Sequence, residues 1–137
     1  MTTAREIMKT GVQCIQENQS MLDAARMMRD LGVGSLPICG QDDRLHGIIT
    51  DRDIVLRCVA EGRDPASMLA TEMAGHLHWV DANDDLSHVL RTMEENQIRR
   101  IPVIEKHRLV GMVSEADIAR HLDEGQIAEF VERVYAR

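Results

Sequence analysis

Aromatic side chains are nearly absent from this sequence: one Trp, one Tyr and one Phe occur in 137 residues. Aliphatic residues and the nine Met residues must therefore fill the interior. Met is flexible and polarizable, so core filling is its first expected use and an adaptable partner surface its second. Basic charge is also in deficit, with a net charge of −7. A chain without a basic field is not built for general nucleic-acid or anionic-membrane binding. A local Arg cluster can still hold a small anion. No apolar run approaches the roughly 20 residues of a transmembrane helix. The opening Met1-Thr2-Thr3-Ala4-Arg5-Glu6 lacks a signal peptide's apolar core, so the expected location is the cytoplasm. Three cysteines, an odd number, do not read as a secreted disulfide framework. Neither G-x-S-x-G nor a Walker loop occurs, and the six His residues stand without a paired nucleophile. The sequence reads as a binding protein and not as an enzyme.

What is present is a duplication. Leu36-Pro37-Ile38-Cys39, a polar turn, and Arg44-Leu45-His46-Gly47-Ile48-Ile49-Thr50-Asp51-Arg52-Asp53-Ile54 make the first copy. Ile101-Pro102-Val103-Ile104, a turn one residue shorter, and Arg108-Leu109-Val110-Gly111-Met112-Val113-Ser114-Glu115-Ala116-Asp117-Ile118 make the second. Each copy reads as an apolar strand, a charged turn, a second apolar strand and a helix. Thr50 and Ser114 are good N-cap types, with Asp53 and Asp117 three residues on.

Ahead of each hairpin the pattern predicts a short lead-in helix (2–8 and 66–73), a brief strand (12–15 and 77–80) and an amphipathic helix. The first amphipathic helix is capped by Ser20, buries Met21, Ala24, Ala25, Met28 and Leu31, and ends at Gly32. The second is capped by Asp84 or Asp85 and buries Leu86, Val89, Leu90 and Met93. The helices after the hairpins are expected over 51–60 and 115–122. Glu61-Gly62-Arg63-Asp64-Pro65 punctuates the chain. Residues 1–63 and 64–123 are thus the two repeats, each marginal alone at roughly 65 residues. Residues 124–137 have no counterpart. There Ile127, Phe130, Val131 and Val134 form the apolar stripe of a helix that needs a surface, on its own module or on a second subunit.

This arrangement resembles the CBS domain, which occurs as tandem pairs, and the likeness covers nearly the whole chain. It implies an α+β fold: two repeats of strand-helix-strand-strand-helix, packed pseudo-symmetrically, with the C-terminal amphipathic helix added. The implied function is regulatory binding of an adenine nucleotide (AMP, ADP or ATP) in a cleft between the repeats. A homodimer and an unidentified protein target are implied with it. By the same resemblance Asp53 and Asp117 bind ribose hydroxyls, and Thr50 and Ser114 contact ribose or phosphate. The chemistry fits, since a carboxylate accepts two hydrogen bonds from a vicinal diol and a helix start offers N–H groups to phosphate. Arg99 and Arg100 stand where such relatives contact phosphate, and the first copy has Gly34 and Ser35 there. Pro37, Ile38, Pro102 and Val103 would offer walls and backbone groups to a base. Plainer readings run beside these. Capping alone explains Thr50 and Ser114, Glu94 and Glu95 can offset the arginines, and the hairpin residues belong to the core in any case.

In the fold so implied, Cys14 and Cys39 run close together. They are small buried hydrophobes, a disulfide, or half a zinc site completed by His46, His76, His78 or His107. No CxxC or HxxxH spacing favours metal. The alternative function is a redox- or zinc-responsive stress protein that uses Cys14 and Cys39 without a nucleotide.

Overall fold

Local hydrogen bonds set most of the helix boundaries. The computed structural model describes residues 1–74 and 77–136. The first half of the chain holds helix α1 (Ala4–Ile7), strand β1 (Ile15–Gln16), helix α2 (Met21–Leu31), and strands β2 (Ser35–Cys39) and β3 (Leu45–Thr50). Helix α3 (Asp51–Asp53) follows and opens into π-helical turns over Ile54–Val59. After a 3-10 turn at Ala70–Met73 come β4 (Val80–Asp81), α4 (Leu86–Asn96), β5 (Arg100–Glu105), β6 (Arg108–Ser114), α5 (Glu115–Ala119) and α6 (Glu124–Val134). The fold class is α+β. Two three-stranded sheets are ordered β1-β2-β3 and β4-β5-β6. In each, the first pair is parallel and the hairpin antiparallel.

Ser20 accepts the Asp23 N–H at 3.1 Å while the Ser20 N–H donates to Asp23 at 3.2 Å, a reciprocal start for α2. Gly32 ends that helix in the left-handed region, at φ 68. Of the two candidate caps for α4, Asp85 is the one used, accepting from His88 at 2.9 Å. The lead-in strands are shorter than expected and start later. Only Ile15–Gln16 and Val80–Asp81 reach register partners, at Ile38–Cys39 and Val103–Ile104. The helix expected over 115–122 stops at Ala119 because Asp123 begins a new one, accepting from Gln126 at 2.8 Å. The helix expected over 51–60 widens instead: the Ala60 N–H reaches the Val55 carbonyl, five residues back, at 2.8 Å. The one-residue difference between the hairpin turns also has a cause. Lys106 and His107 both take positive φ, 50 and 69, as a tight two-residue hairpin turn requires. The first turn is wider, closing from the Gly40 N–H to the Arg44 carbonyl at 3.0 Å with Asp43 at φ 62.

The chain forms two compact units, each with its own core. One comprises Met1–Val12 and the chain from His78 onward, the other the chain from Gln13 to Leu77. The repeat is a sequence unit and the compact unit a packing unit, and the two divide the chain differently. In the first unit Ala4 and Ile7 join Val80, Val89, Met93, Ile101, Val103 and Ile118 in one cluster. Lys9 bridges Met112 through two backbone hydrogen bonds of 2.9 and 3.0 Å. In the second unit Met68, Ala70 and Met73 pack with Ile15, Met21, Leu36, Ile38 and Ile49.

The repeated glycines make these approaches possible. A Cβ on Gly111 would stand 2.7 Å from the Lys9 carbonyl oxygen, and one on Gly47 would stand 3.1 Å from Ala74 Cα. Five Met residues (Met21, Met28, Met68, Met73, Met93) are buried, so core filling is their main use. The surface that α6 needs lies in its own unit. Phe130 and Val134, 3% and 4% exposed, belong to that core, and burial of each contributes about 1.5–3 kcal/mol.

Candidate functional site

Strands β3 and β6 each deliver their last residue as the cap of the helix that follows. The Thr50 N–H donates to Asp53 Oδ2 at 2.9 Å, and the Asp53 N–H returns to Thr50 Oγ1 at 3.0 Å. Asp53 Oδ1 takes no hydrogen bond among the described residues, and the side chain is half-buried. The second copy is closed more tightly. Asp117 Oδ2 accepts both the Ser114 N–H and the Ser114 hydroxyl, each at 2.9 Å. Arg120 Nη1 donates to Asp117 Oδ1 at 3.3 Å, and Asp117 is only 2% exposed. The two aspartates therefore share a motif but not a state. One carboxylate has an oxygen to spare, and the other is buried with both oxygens engaged.

The first-turn N–H groups are largely used as well. Asp51 donates to the Gly34 carbonyl and Glu115 to the Arg99 carbonyl, both at 2.9 Å. Arg52 donates to Asp51 Oδ1 at 2.8 Å. Compensation for an anion thus falls on side-chain cations. Arg100 lies opposite Ser114 in the β5–β6 register, where Ser35 lies opposite Thr50 in the first hairpin. Arg99 leads into β5 and, like Arg100, is exposed. Its Nη1 donates to the Tyr135 hydroxyl at 3.3 Å, with the guanidinium carbon 5.5 Å from the ring centroid. That hydroxyl donates in turn to Glu115, 3.1 Å from Oε2. Glu94, one of the two residues expected to offset the arginines, pairs with Arg133 at 3.2 Å. No spacing in the sequence points to Tyr135, which stands in the tail outside the repeat, and without Tyr135 nothing singles out Glu115 within the second copy.

Pro37, Ile38, Pro102 and Val103 are all buried, with Ile38 and Val103 fully so. Ile38 pairs with Gly47 and Val103 with Gly111, so these side chains serve the core. A separate pocket of about 230 Å³ lies against α5 and α6, lined by Ala116, Ala119, Leu122, Ile127, Phe130 and Val131. Its one charged lining residue is Glu115, an acid, so the lining offers a phosphate nothing.

Two comparisons carry the family assignment. Residues 4–59 and 69–124 each match the family model of the CBS domain. The chain belongs to the CBS-domain family. It is 53% identical over 135 residues to hypoxic response protein 1 of Mycobacterium tuberculosis, covering 98% of this chain and 94% of that protein. A CBS domain-containing protein of Bacillus subtilis, YhcV, is 35% identical over 119 residues, covering 87% of this chain and 84% of its own. Among solved structures, a crystal structure of Hypoxic Response Protein I with two coordinated zinc ions superposes with a TM-score of 0.84 at 55% identity. It covers 89% of this chain and all of that one. The CBS domain pair of MJ0100, in complex with 5′-methylthioadenosine and S-adenosyl-L-methionine, gives 0.77 at 25% identity, covering 88% and 95%.

Within this CBS pair the two candidate cysteines are joined. Cys14 and Cys39 form a disulfide that ties the approach to β1 to the end of β2, while Cys58 is free and buried. Disulfide sulfurs carry no thiolate, the form that binds metal. His46 lies 3.5 Å from Glu17 and 3.8 Å from Asp42. The Arg44 N–H, foremost, holds the Asp42 carboxyl below its ordinary range. Among the described residues no group of three or more His, Cys, Asp and Glu side chains is placed to hold a metal ion. His76 lies outside the described residues. No helix among them is long and apolar enough to cross a membrane.

Proposed function

We propose that this CBS pair is a regulatory protein that binds an adenine nucleotide at the capped ends of its hairpins, with ribose on a cap aspartate and, at the second hairpin, phosphate on the Arg99–Arg100 pair, and that its output goes to a protein target. The observation that carries the reading is the pair of reciprocal caps at the ends of the two hairpins, with two cations beside the second. Support also comes from the CBS pair of MJ0100, whose structure holds two adenosine compounds. Asp53 is the stronger ribose ligand. Its Oδ1 is unused among the described residues and its side chain is half-buried, so it can take a vicinal diol without losing a partner. Asp117 would first have to release Arg120.

Arg99 and Arg100 supply the charge that a phosphate needs in a chain of net charge −7. Each charge-assisted hydrogen bond contributes about 1.5–3 kcal/mol, or roughly tenfold or more in affinity. Calorimetric titration with AMP, ADP and ATP tests this on ligand-free wild type, Asp53→Ala, Asp117→Ala and Arg99→Ala/Arg100→Ala. Asp53→Ala should weaken binding more than Asp117→Ala, and the double arginine variant should weaken it about tenfold or more. Absence of heat with every nucleotide at millimolar concentration removes the reading.

We further propose a homodimer. Val55, Leu56 and Val59 on the π-helical stretch are 55%, 46% and 61% exposed, a contiguous apolar face flanked by Arg52 and Arg57. The apolar pocket of α5 and α6 carries Glu115 and is flanked by Glu124 and Glu129. A second copy of the chain offers each face a partner of matching polarity and opposite charge.

A further inference from the structure

The C-terminal turn already holds the guanidinium that the nucleotide reading gives to phosphate. Tyr135 follows directly on α6, and three elements meet at its hydroxyl. Arg99, leading into β5, donates to it at 3.3 Å. It donates to the Glu115 carboxylate at the start of α5, 3.1 Å from Oε2 and 3.2 Å from Oε1. The ring itself lies beside Arg99, 5.5 Å from centroid to guanidinium carbon. A phenol has one proton to give and lone pairs to receive, so it suits a place between a carboxylate and a guanidinium.

The body of α6 is anchored by other means. Phe130 and Val134 are buried in the core, and Arg133 pairs with Glu94 at 3.2 Å. Tyr135 is 47% exposed, so its ring can leave Arg99 without opening that core. We propose that Tyr135 is a latch on Arg99 that a ligand phosphate displaces, so that nucleotide binding releases the Tyr135 side chain as the signal read by a partner. This deepens the nucleotide reading and rests on it. At the hydroxyl the exchange favours the ligand. A phosphate oxygen in a charge-assisted bond holds a guanidinium more strongly than a neutral phenol oxygen does, and an exposed cation–π contact adds little.

Coupling of this kind is reciprocal: if phosphate expels the phenol, removing the phenol must tighten phosphate binding. Tyr135→Phe keeps the ring and deletes both hydroxyl bonds. Its ATP dissociation constant should fall by about three- to tenfold relative to wild type. The chain has a single Tyr, so 3-fluorotyrosine labels this position alone and gives one fluorine resonance. Saturating ATP should move that resonance toward its position in labelled Arg99→Ala. ATP binding by calorimetry with an unmoved resonance, or with Tyr135→Phe no tighter than wild type, overturns the latch and leaves the nucleotide reading intact. Binding seen only in Tyr135→Phe supports the latch. Absence of binding in both proteins overturns the two proposals together.

Discussion

Replacing Gly111 with Ala tests how the lead-in segment is held against the second hairpin. A Cβ there stands 2.6 Å from Met8 Sδ, 2.9 Å from Met8 Cγ and 2.7 Å from the Lys9 carbonyl oxygen. The Met8 atoms end a flexible side chain and can swing aside. The Lys9 oxygen is backbone and accepts from the Met112 N–H at 3.0 Å, while the Lys9 N–H donates to Met112 at 2.9 Å. Relieving the contact therefore strains or breaks that bridge. Two backbone hydrogen bonds at about 1 kcal/mol each, or overpacking strain of about 1–3 kcal/mol, set the cost near 2 kcal/mol. The stiffer unfolded chain returns roughly 0.4–1 kcal/mol, leaving a net loss of about 1–2 kcal/mol. For a domain of this size that lowers the melting temperature by about 4–8 °C. Gly47→Ala comes closer than ordinary van der Waals contact only to Ala74 Cα, at 3.1 Å, and threatens no bridge, so its loss should be a degree or two. Gly125→Ala supplies a control of opposite sign. It lies in α6 with nothing nearer than 3.5 Å, and Ala exceeds Gly in helix propensity by about 1 kcal/mol, so melting should rise. Calorimetry or far-UV melting of the three variants reads the order. Gly111→Ala melting at or above the wild-type temperature would refute the argument from the close approach.

Reducing the Cys14–Cys39 bond, which spans 25 positions, should cost about 3.5 kcal/mol by loop entropy, seen as a lower melting temperature in reductant. Without reductant, alkylation of the denatured chain should modify Cys58 alone; three modified cysteines would show that no disulfide had formed. The Glu72 carboxyl is held below its ordinary range, first by the hydrogen bond from Arg63 and then by the Leu69 N–H. A depressed carboxyl stabilises the fold above its unfolded value and ceases to do so as pH falls through the folded one. Wild type should therefore lose more stability than Glu72→Gln as pH drops below the ordinary value of 4.5, and equal slopes would contradict this. In light scattering at micromolar concentration the wild type should give twice the chain mass, and Leu56→Glu/Val59→Glu should give the single mass. A monomeric wild type would rule out the proposed dimer.

Features set by neighbouring residues were legible in the sequence. Ser20 with Asp23, Thr50 with Asp53 and Ser114 with Asp117 are three residues apart, and their reciprocal caps need nothing distant to form. The hairpins were legible for the same reason, since alternation and turn chemistry fix them within about a dozen residues. What two glycines were for was not. Gly47 and Gly111 marked the motif, but the backbone each admits comes from Ala74 and from Lys9, far along the chain. The π-helical turns after Asp53 carried no signal either, because an apolar stripe at helical spacing is the same for either hydrogen-bond pattern over so short a run.

The candidate site divides along the same line. Motif matching gave both copies a serine or threonine with an aspartate three residues on, and the sequence told them apart only by Arg99 and Arg100 in the second against Gly34 and Ser35 in the first. The difference between them is made by residues outside the motif. Arg120 closes Asp117 at 3.3 Å, whereas no basic side chain bonds Asp53 Oδ1 among the described residues. Tyr135 then brings the C-terminal turn to the second copy alone, 36 positions beyond Arg99 and 20 beyond Glu115. A duplicated domain that binds one ligand class twice has no direction to its signal. Here the unrepeated tail breaks the equivalence, because it engages Arg99, one of the two cations proposed to meet a phosphate at the second hairpin. On the proposed regulatory reading, the asymmetry between the copies therefore resides in the segment that the repeat does not explain.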